Sequence, residues 1–344
     1  MKPSIIDKID AVTKIGETRV KMGGIQLPPK SVKIELTNRC NLVCKFCAVR
    51  TRGTKGVDEM DLGVFKVLTK EMRISGVEEI GLFYLGESFM APQLLIEACK
   101  YVKQELRFPW VFLTSNAVMA KPEHVMELMK AGLDSLKWSA NCYDEHQYKA
   151  ITGGSKELFL QSLQNIRRAW KVRENMHKEG LTVNTLLSAS SILYDSHQEE
   201  AMLDFIDEHI EPYVDKHYWL PIYSMGMHQE RIQKEMGYIP TIGNMGRIDE
   251  DSKLPNRSPL PCWAAFTEGH VRVDGGLSAC CFGSDAKFDM GILDGTNFMQ
   301  AWNSGTFQVL REAQIRTIEE GPGALTNTCC KVCVAYEETE SEKT

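Results

Sequence analysis

The sequence has no run of eighteen consecutive apolar residues, so no segment has the length needed to cross a bilayer as a helix. Its opening, MKPSIIDKID, alternates charges and lacks the apolar centre of a secretory signal. A cytoplasmic location is therefore expected. Basic excess is also missing: 40 Lys and Arg stand against 46 Asp and Glu, a formal net charge of -6. Without a surplus of positive charge the chain offers no electrostatic footprint for a phosphate backbone, and neither nucleic acid nor a membrane is an expected partner. No internal repeat is found.

Cysteine, by contrast, is plentiful. Of eleven cysteines, nine lie in or near two clusters, while Cys99 and Cys142 stand apart. In a reducing compartment such clusters point to metal and not to disulfides. At 344 residues, 43% hydrophobic and 25% charged, the chain can bury one large core plus a smaller one, or two of middling size.

Residues 1–30 read as an amphipathic lead-in (Ile5, Ile6, Ile9, Val12) and a Gly- and Pro-rich connector. From Ser31 strands alternate with helices. The pattern places strands near Ser31 to Leu36, Glu79 to Tyr84, Trp110 to Leu113, Ser135 to Ser139, Thr182 to Leu187 and Tyr218 to Pro221. Stretches such as Leu62 to Ile74 and Pro92 to Leu106 carry apolar residues at helical spacing. The alternation implies a parallel sheet with helices outside, either a barrel or an open doubly wound sheet, and six units are too few for an eight-fold barrel. After Met225 the pattern breaks, and a domain boundary is expected between Gly237 and Pro261. Beyond it lies a Gly- and Cys-rich region with one helix around Thr306 to Arg316.

The first cluster, Cys40-x3-Cys44-x2-Cys47, follows the first strand, at the end where barrel folds build active sites. Three thiolates leave one iron of a cubane cluster open to a small molecule. The competing reading is a zinc knuckle, but zinc normally takes four ligands and no further Cys or His stands nearby before Cys99.

The segment LTNRCNLVCKFCAVR resembles the radical S-adenosylmethionine (SAM) superfamily, whose signature is C-x3-C-x-aromatic-C, with Phe46 as the aromatic residue beside the adenine. The resemblance covers about Ser31 to Met225 and implies a partial (β/α)6 TIM-like barrel, a four-iron cluster on Cys40, Cys44 and Cys47, and SAM cleaved to a 5'-deoxyadenosyl radical. The family's Gly-Gly-Glu motif for the SAM amino group reads Leu85-Gly86-Glu87 here. Its Thr-Asn-Gly turn is matched by LTSNAV, which makes Ser115 and Asn116 candidates at the ribose. On the fourth strand Lys137, Ser139 and Asn141 share one face. If that face looks inward, Lys137 pairs with the SAM carboxylate and the other two line the pocket; if outward, Lys137 lies between helices.

The second cluster resembles the auxiliary-cluster domain known as SPASM in full and twitch in its shorter form. Its frame is Cys262, Gly275, Cys280, Cys330 and Cys333, with Gly291, Trp302, Leu310 and Arg311 at the family's Gly, Trp and Leu-Arg places. Four thiolates close one cluster; further cysteines for another are missing after Cys333, so the twitch form is expected, as a small C-terminal iron-sulfur domain. Two registers stay open, Cys281 for Cys280 and Cys329 for Cys330, and a zinc ribbon is the alternative. With both clusters and SAM, the resemblance implies an oxidoreductase that takes hydrogen from a small polar substrate such as an aminocyclitol or sugar, the auxiliary cluster accepting an electron. A flavodoxin or ferredoxin is the implied reductant. Alternatives are an epimerase with Cys142 as hydrogen donor, a peptide-modifying maturase, for which thirty residues before the barrel leave little room, and an electron carrier without catalysis. Against the donor role, a lone cysteine such as Cys142 reads more often as a small buried hydrophobe.

Overall fold

A computed structural model describes residues 26–47, 59–193, 196–221, 261–262, 264–281 and 288–332. The lead-in up to residue 25, nearly all of the expected boundary region and Cys333 lie outside the described residues.

The alternation is realised as six strands: β1 (Ser31–Ile34), β2 (Glu79–Gly81), β3 (Trp110–Ser115), β4 (Ser135–Ser139), β5 (Leu186–Leu193) and β6 (Lys216–Pro221). Each pairs in parallel with the next, so spatial order follows chain order. Right-handed crossovers that all advance in one direction put their helices on one face of the sheet. A doubly wound sheet would reverse its order; this one curls into a partial (β/α)6 barrel.

The two faces of the sheet differ in chemistry. Val32, Ile80, Val111, Leu113, Leu136 and Leu187 are all fully buried and meet in register on one face. That apolar face is the one that helices must cover. The opposite face carries Lys33, Phe112, Thr114, Lys137, Ser139, Ser188 and Ser190. The barrel interior is therefore polar, unlike the branched-aliphatic filling usual in closed eight-fold barrels.

The outer layer is α1 (Leu62–Ser75), α2 (Pro92–Lys100), α3 (Pro122–Ala131), α4 (Glu145–Thr152), α5 (Lys156–Lys178) and α6 (Ser196–His209). Local sequence sets their ends. Asp61 caps α1 by accepting from Val64 N at 3.0 Å, and Asp144 caps α4 by accepting from Gln147 N at 2.7 Å. α2 stops at Lys100 and passes into a π turn, Tyr101–Glu105, where a single helix to Leu106 was expected. Within that turn Lys103 reaches buried Asp134 at 2.7 Å.

β5 begins four residues later than the Thr182 expected from its β-branched residues. Thr185 instead donates its hydroxyl to Leu133 O at 2.7 Å in the preceding connection. The strand itself is LLSASSIL, six of whose eight residues are buried; small residues there read weakly as strand but fit between neighbours on both sides.

The C-terminal region continues the same sheet. After α7 (Ala264–Thr267), β7 (Glu268–Val271) pairs in parallel with β1, and β8 (Gly276–Ser278) and β9 (Asp289–Ile292) follow antiparallel. α8 (Phe298–Trp302) and α9 (Gly305–Glu320) cover it. The Trp and Leu-Arg places are buried in its core, whereas Gly291 is exposed on β9: Arg311 lies over Trp302 with 4.3 Å to the ring centroid and donates to Ala265 O and Trp302 O, each at 2.8 Å. Among the described residues no helix is long and apolar enough to cross a membrane.

Candidate active site

One cavity at the C-terminal ends of β1 to β4 collects Cys40, Cys44, Cys47, Phe46, Gly86, Glu87, Ser115, Asn116, Ser139, Asn141 and Cys142. The cysteine loop reaches it because it is strapped to the end of α4: Val43 N donates to Thr152 O and Lys45 N to Ile151 O, both at 2.9 Å. Burial pushes the Cys40 thiol up to about 12, with Glu87 and Cys47 adding to the rise. Cys44 is likewise held well above the usual thiol range by burial and by Cys47, Cys40 and Cys142. Buried thiols in such surroundings give up their protons only to a strong cation, which is what iron supplies. Among the described residues no group of three His, Cys, Asp or Glu side chains is placed to hold a single metal ion. Cys40, Cys44 and Cys47 line one cavity and act on one another electrostatically, and three thiols are the donor set that an iron-sulfur cluster takes.

Gly86 and Glu87 show why the motif reads as it does. A β-carbon at Gly86 would stand 1.9 Å from Thr37 O, so only glycine lets this loop lie on the end of β1. Glu87, 4% exposed, accepts from Phe89 N at 3.1 Å, Ser115 Oγ at 2.9 Å and Asn116 N at 2.8 Å. Burial raises its pKa against the pull of these bonds. A carboxylate has about four acceptor sites; three are taken here, which leaves one for an incoming amine. Leu85 in place of a first glycine is 5% exposed and fits without disturbing the loop.

Ser115 and Asn116 are tied into the same network. Ser115 Oγ also accepts from Ala117 N at 3.0 Å, and Asn116 Nδ2 donates to Asn41 Oδ1 at 3.0 Å. Ala117, at the glycine place of the Thr-Asn-Gly turn and next to the cavity-lining Asn116, has φ 67°, a left-handed conformation that costs an alanine energy. Ser139 and Asn141 line the cavity, and Asn141 Oδ1 is buried without a partner. Lys137, one pleat below, is absent from its lining.

Cys142 is 4% exposed on the wall near Cys44. Burial, then Asp144, raises its pKa, so it is held as a thiol.

In the second cluster, Gln314 joins two of the expected cysteines: its Oε1 accepts from Cys262 N at 2.9 Å and its Nε2 lies 3.5 Å from Cys330 Sγ. Cys280 closes β8, where Tyr84 donates its hydroxyl to Cys280 O at 2.8 Å. Cys329 hydrogen-bonds Cys330, which together with burial raises the Cys330 thiol.

Several polar residues at this site were not read from the sequence. Tyr84 lines the cavity and also touches the second cluster through Cys280. On the inner face Lys33 is ion-paired with Glu268, whose carboxylate is 3.5 Å from His270 Nε2. Burial pushes the Glu268 carboxyl up, but Lys33 and His270 hold it down at about 2. Burial also lowers His270 to about 4. The signal was present, since Lys33 breaks the apolar run of β1, yet its partners lie more than 200 positions away.

Residues 34–185 match the family profile of the radical SAM superfamily, and residues 262–334 match SPASM, an iron-sulfur cluster-binding domain. The chain is 27% identical over 215 residues to the uncharacterised protein MJ0804 of Methanocaldococcus jannaschii, covering 59% of this chain and 69% of that one. It is 21% identical over 233 residues to the GTP 3',8-cyclase of Petrotoga mobilis, 65% and 69% of the two lengths. Among solved structures, anSMEcpe with bound AdoMet and Cp18Cys peptide is similar with a TM-score of 0.55 at 13% identity, covering 90% of this chain and 88% of that one. BtrN in complex with AdoMet and 2-DOIA is similar with a TM-score of 0.51 at 14% identity, covering 85% and 88%. At these identities the structural likenesses show the fold.

Proposed function

We propose, from the premise that this chain belongs to the radical SAM superfamily and carries an SPASM iron-sulfur domain, that it oxidises a hydroxyl-bearing carbon of a small polar substrate to a ketone. Clusters held at the two cysteine sites would supply the one-electron chemistry for this, the first by delivering an electron to SAM and the second by accepting the electron left on the substrate. In this reading Cys40, Cys44 and Cys47 hold the first cluster, and Cys262, Cys280, Cys330 and Cys333 the second. Glu87 takes the SAM amine on its remaining acceptor site, and Phe46 faces the adenine. Ser115 and Asn116 shape the ribose side chiefly by fixing Glu87 and the turn at Ala117. A flavodoxin or ferredoxin is the reductant.

The observation that carries the reading is the polar inner face of the barrel, continuous with the cavity through Thr114 and Ser139. It suits a hydroxylated substrate better than an apolar one. Loss of a hydrogen atom, an electron and the hydroxyl proton gives the ketone, and the proton needs a base. His270 is neutral, its Nε2 faces Glu268, its buried Nδ1 has no hydrogen-bond partner among the described residues, and its ring lies 5.3 Å from that of Tyr84 on the cavity wall. We assign it that proton.

The position of Cys142 favours oxidation over epimerisation. An epimerase donor must stand across the substrate from the abstracting radical, whereas Cys142 sits on the wall with Cys44. Anaerobic turnover with candidate polyols, sugars and their carboxylate and phosphate derivatives tests this: the expected product is lighter by two hydrogens, and Cys142→Ala still makes it. Unchanged product mass, with solvent deuterium at the inverted carbon and loss of product in Cys142→Ala, would replace this reading by the epimerase.

A further inference from the structure

We propose that Lys137 and Ser188 form a receptor for an anionic oxygen group of the substrate inside the barrel, so that the substrate is an acid, such as a sugar carboxylate or phosphate, and not a neutral polyol. This rests on the reading that the substrate occupies the barrel interior.

Lys137 lies on the inner face of β4, paired across to Thr114 of β3 and Ser188 of β5. Its ammonium runs across β5 to 5.9 Å from the Tyr218 ring on β6, so the side chain spans the interior and does not pass outward between helices. Ser139, two residues on, lines the cavity that holds the cysteines, and Lys137 does not. Two strand residues advance about 6.6 Å. Lys137 is thus rooted one step below Ser139, and its ammonium leads across the interior toward β6, away from the wall that carries the cysteines and Glu87.

The charges around Lys137 do not balance. No carboxylate accepts from it among the described residues, and the nearest charge acting on it is a like one, Lys33, whose own partner is Glu268. Burial, with Lys33 second, lowers Lys137 to about 8, which leaves it mainly cationic at neutral pH. An enclosed cation without a counterion is costly, and an entering anion relieves that cost. A second and independent feature points the same way. Ser188, beside Lys137 in register, is 2% exposed and its Oγ has no hydrogen-bond partner among the described residues. One ammonium and one hydroxyl donor side by side on the inner face match the oxygens of a carboxylate or phosphate.

Two measurements on the SAM-bound holoenzyme test this and separate the substrate's anion from that of SAM. Crystals soaked in sodium bromide should show an anomalous peak within hydrogen-bond reach of Lys137 Nζ and Ser188 Oγ, and Lys137→Met should abolish it. Absence of a peak there when surface sites are filled, or its persistence in the variant, overturns the proposal. Equilibrium dialysis with radiolabelled SAM should give Lys137→Met the wild-type affinity. A loss of roughly tenfold or more, the size expected for a charged hydrogen bond, would assign Lys137 to the SAM carboxylate and also overturn it. If Lys137→Met does not hold iron, Lys137→Gln serves in the dialysis, and the wild-type bromide map stands by itself. Neither result bears on whether the product is a ketone, so failure here is distinct from failure of the proposed oxidation.

Discussion

Replacing Gly86 by alanine adds a single methyl group at a place where the structure leaves none. The new carbon would lie 1.9 Å from Thr37 O, 2.9 Å from Thr37 C and 3.0 Å from Arg39 O. All three are backbone atoms, so no flexible side chain can swing aside, and the two loops must part by about an ångström to restore ordinary contact distances. Arg39 O is also the acceptor for Glu87 N at 2.8 Å, so the displacement passes straight to Glu87. Overpacking of this kind costs about 1–3 kcal/mol of stability, roughly 1–2 °C in melting temperature per kcal/mol for a chain of this size. The kinetic effect is larger in proportion, because a displacement of about 1 Å at a positioning group lowers rate about 100-fold. The assay is 5'-deoxyadenosine release by anaerobically reconstituted Gly86→Ala with dithionite and SAM, alongside iron content and melting temperature. Iron should match the wild type, since no cysteine is touched. Release at the wild-type rate with iron intact would refute the assignment of this loop to SAM.

Other outcomes follow from the same geometry. Reconstituted wild type should hold about eight irons, as two four-iron clusters, by iron and sulfide analysis; zinc in the C-terminal domain would remove the second cluster from the account. Gln314→Leu removes the side chain that joins Cys262 N and Cys330 Sγ. Iron should fall from about eight toward about four, while 5'-deoxyadenosine is still formed. Arg173, 9% exposed, grips Asp215 through two bonds of 2.5 and 2.9 Å and also donates to Thr185 O at 3.2 Å. Arg173→Met should lower stability by about 2–4 kcal/mol, less than for a fully buried pair because Asp215 keeps solvent contact, measured by denaturant unfolding.

The elements that carry the chemistry were the most legible. Cys40, Cys44, Cys47 and Glu87 follow strands at short range, and a short-range motif survives in the sequence whatever the tertiary structure does. The helix at Leu62 was equally clear, because its apolar spacing is local. The start of β5 was misread since Thr182 and Val183 have strand propensity but serve a connection, whereas Ser188, Ala189 and Ser190 have little and yet form the strand. β7, β8 and β9 escaped notice because they are three or four residues long and rich in Gly and Ser. Lys33, Glu268 and His270 could not be brought together from sequence, since the parallel pairing of β7 with β1 exists only in the fold. Tyr84 was passed over for the same reason: its partner, Cys280, is 196 positions away.

The central claim is that Cys40, Cys44 and Cys47 hold the cluster that cleaves SAM, with the C-terminal cysteines forming a separate site. The most direct measurement compares wild type with the variant in which all three are changed to alanine, both reconstituted anaerobically and incubated with dithionite and SAM. The account predicts 5'-deoxyadenosine from the wild type and none from the variant, which retains about four irons. If the variant still forms 5'-deoxyadenosine, or the fully loaded wild type forms none, the account is contradicted.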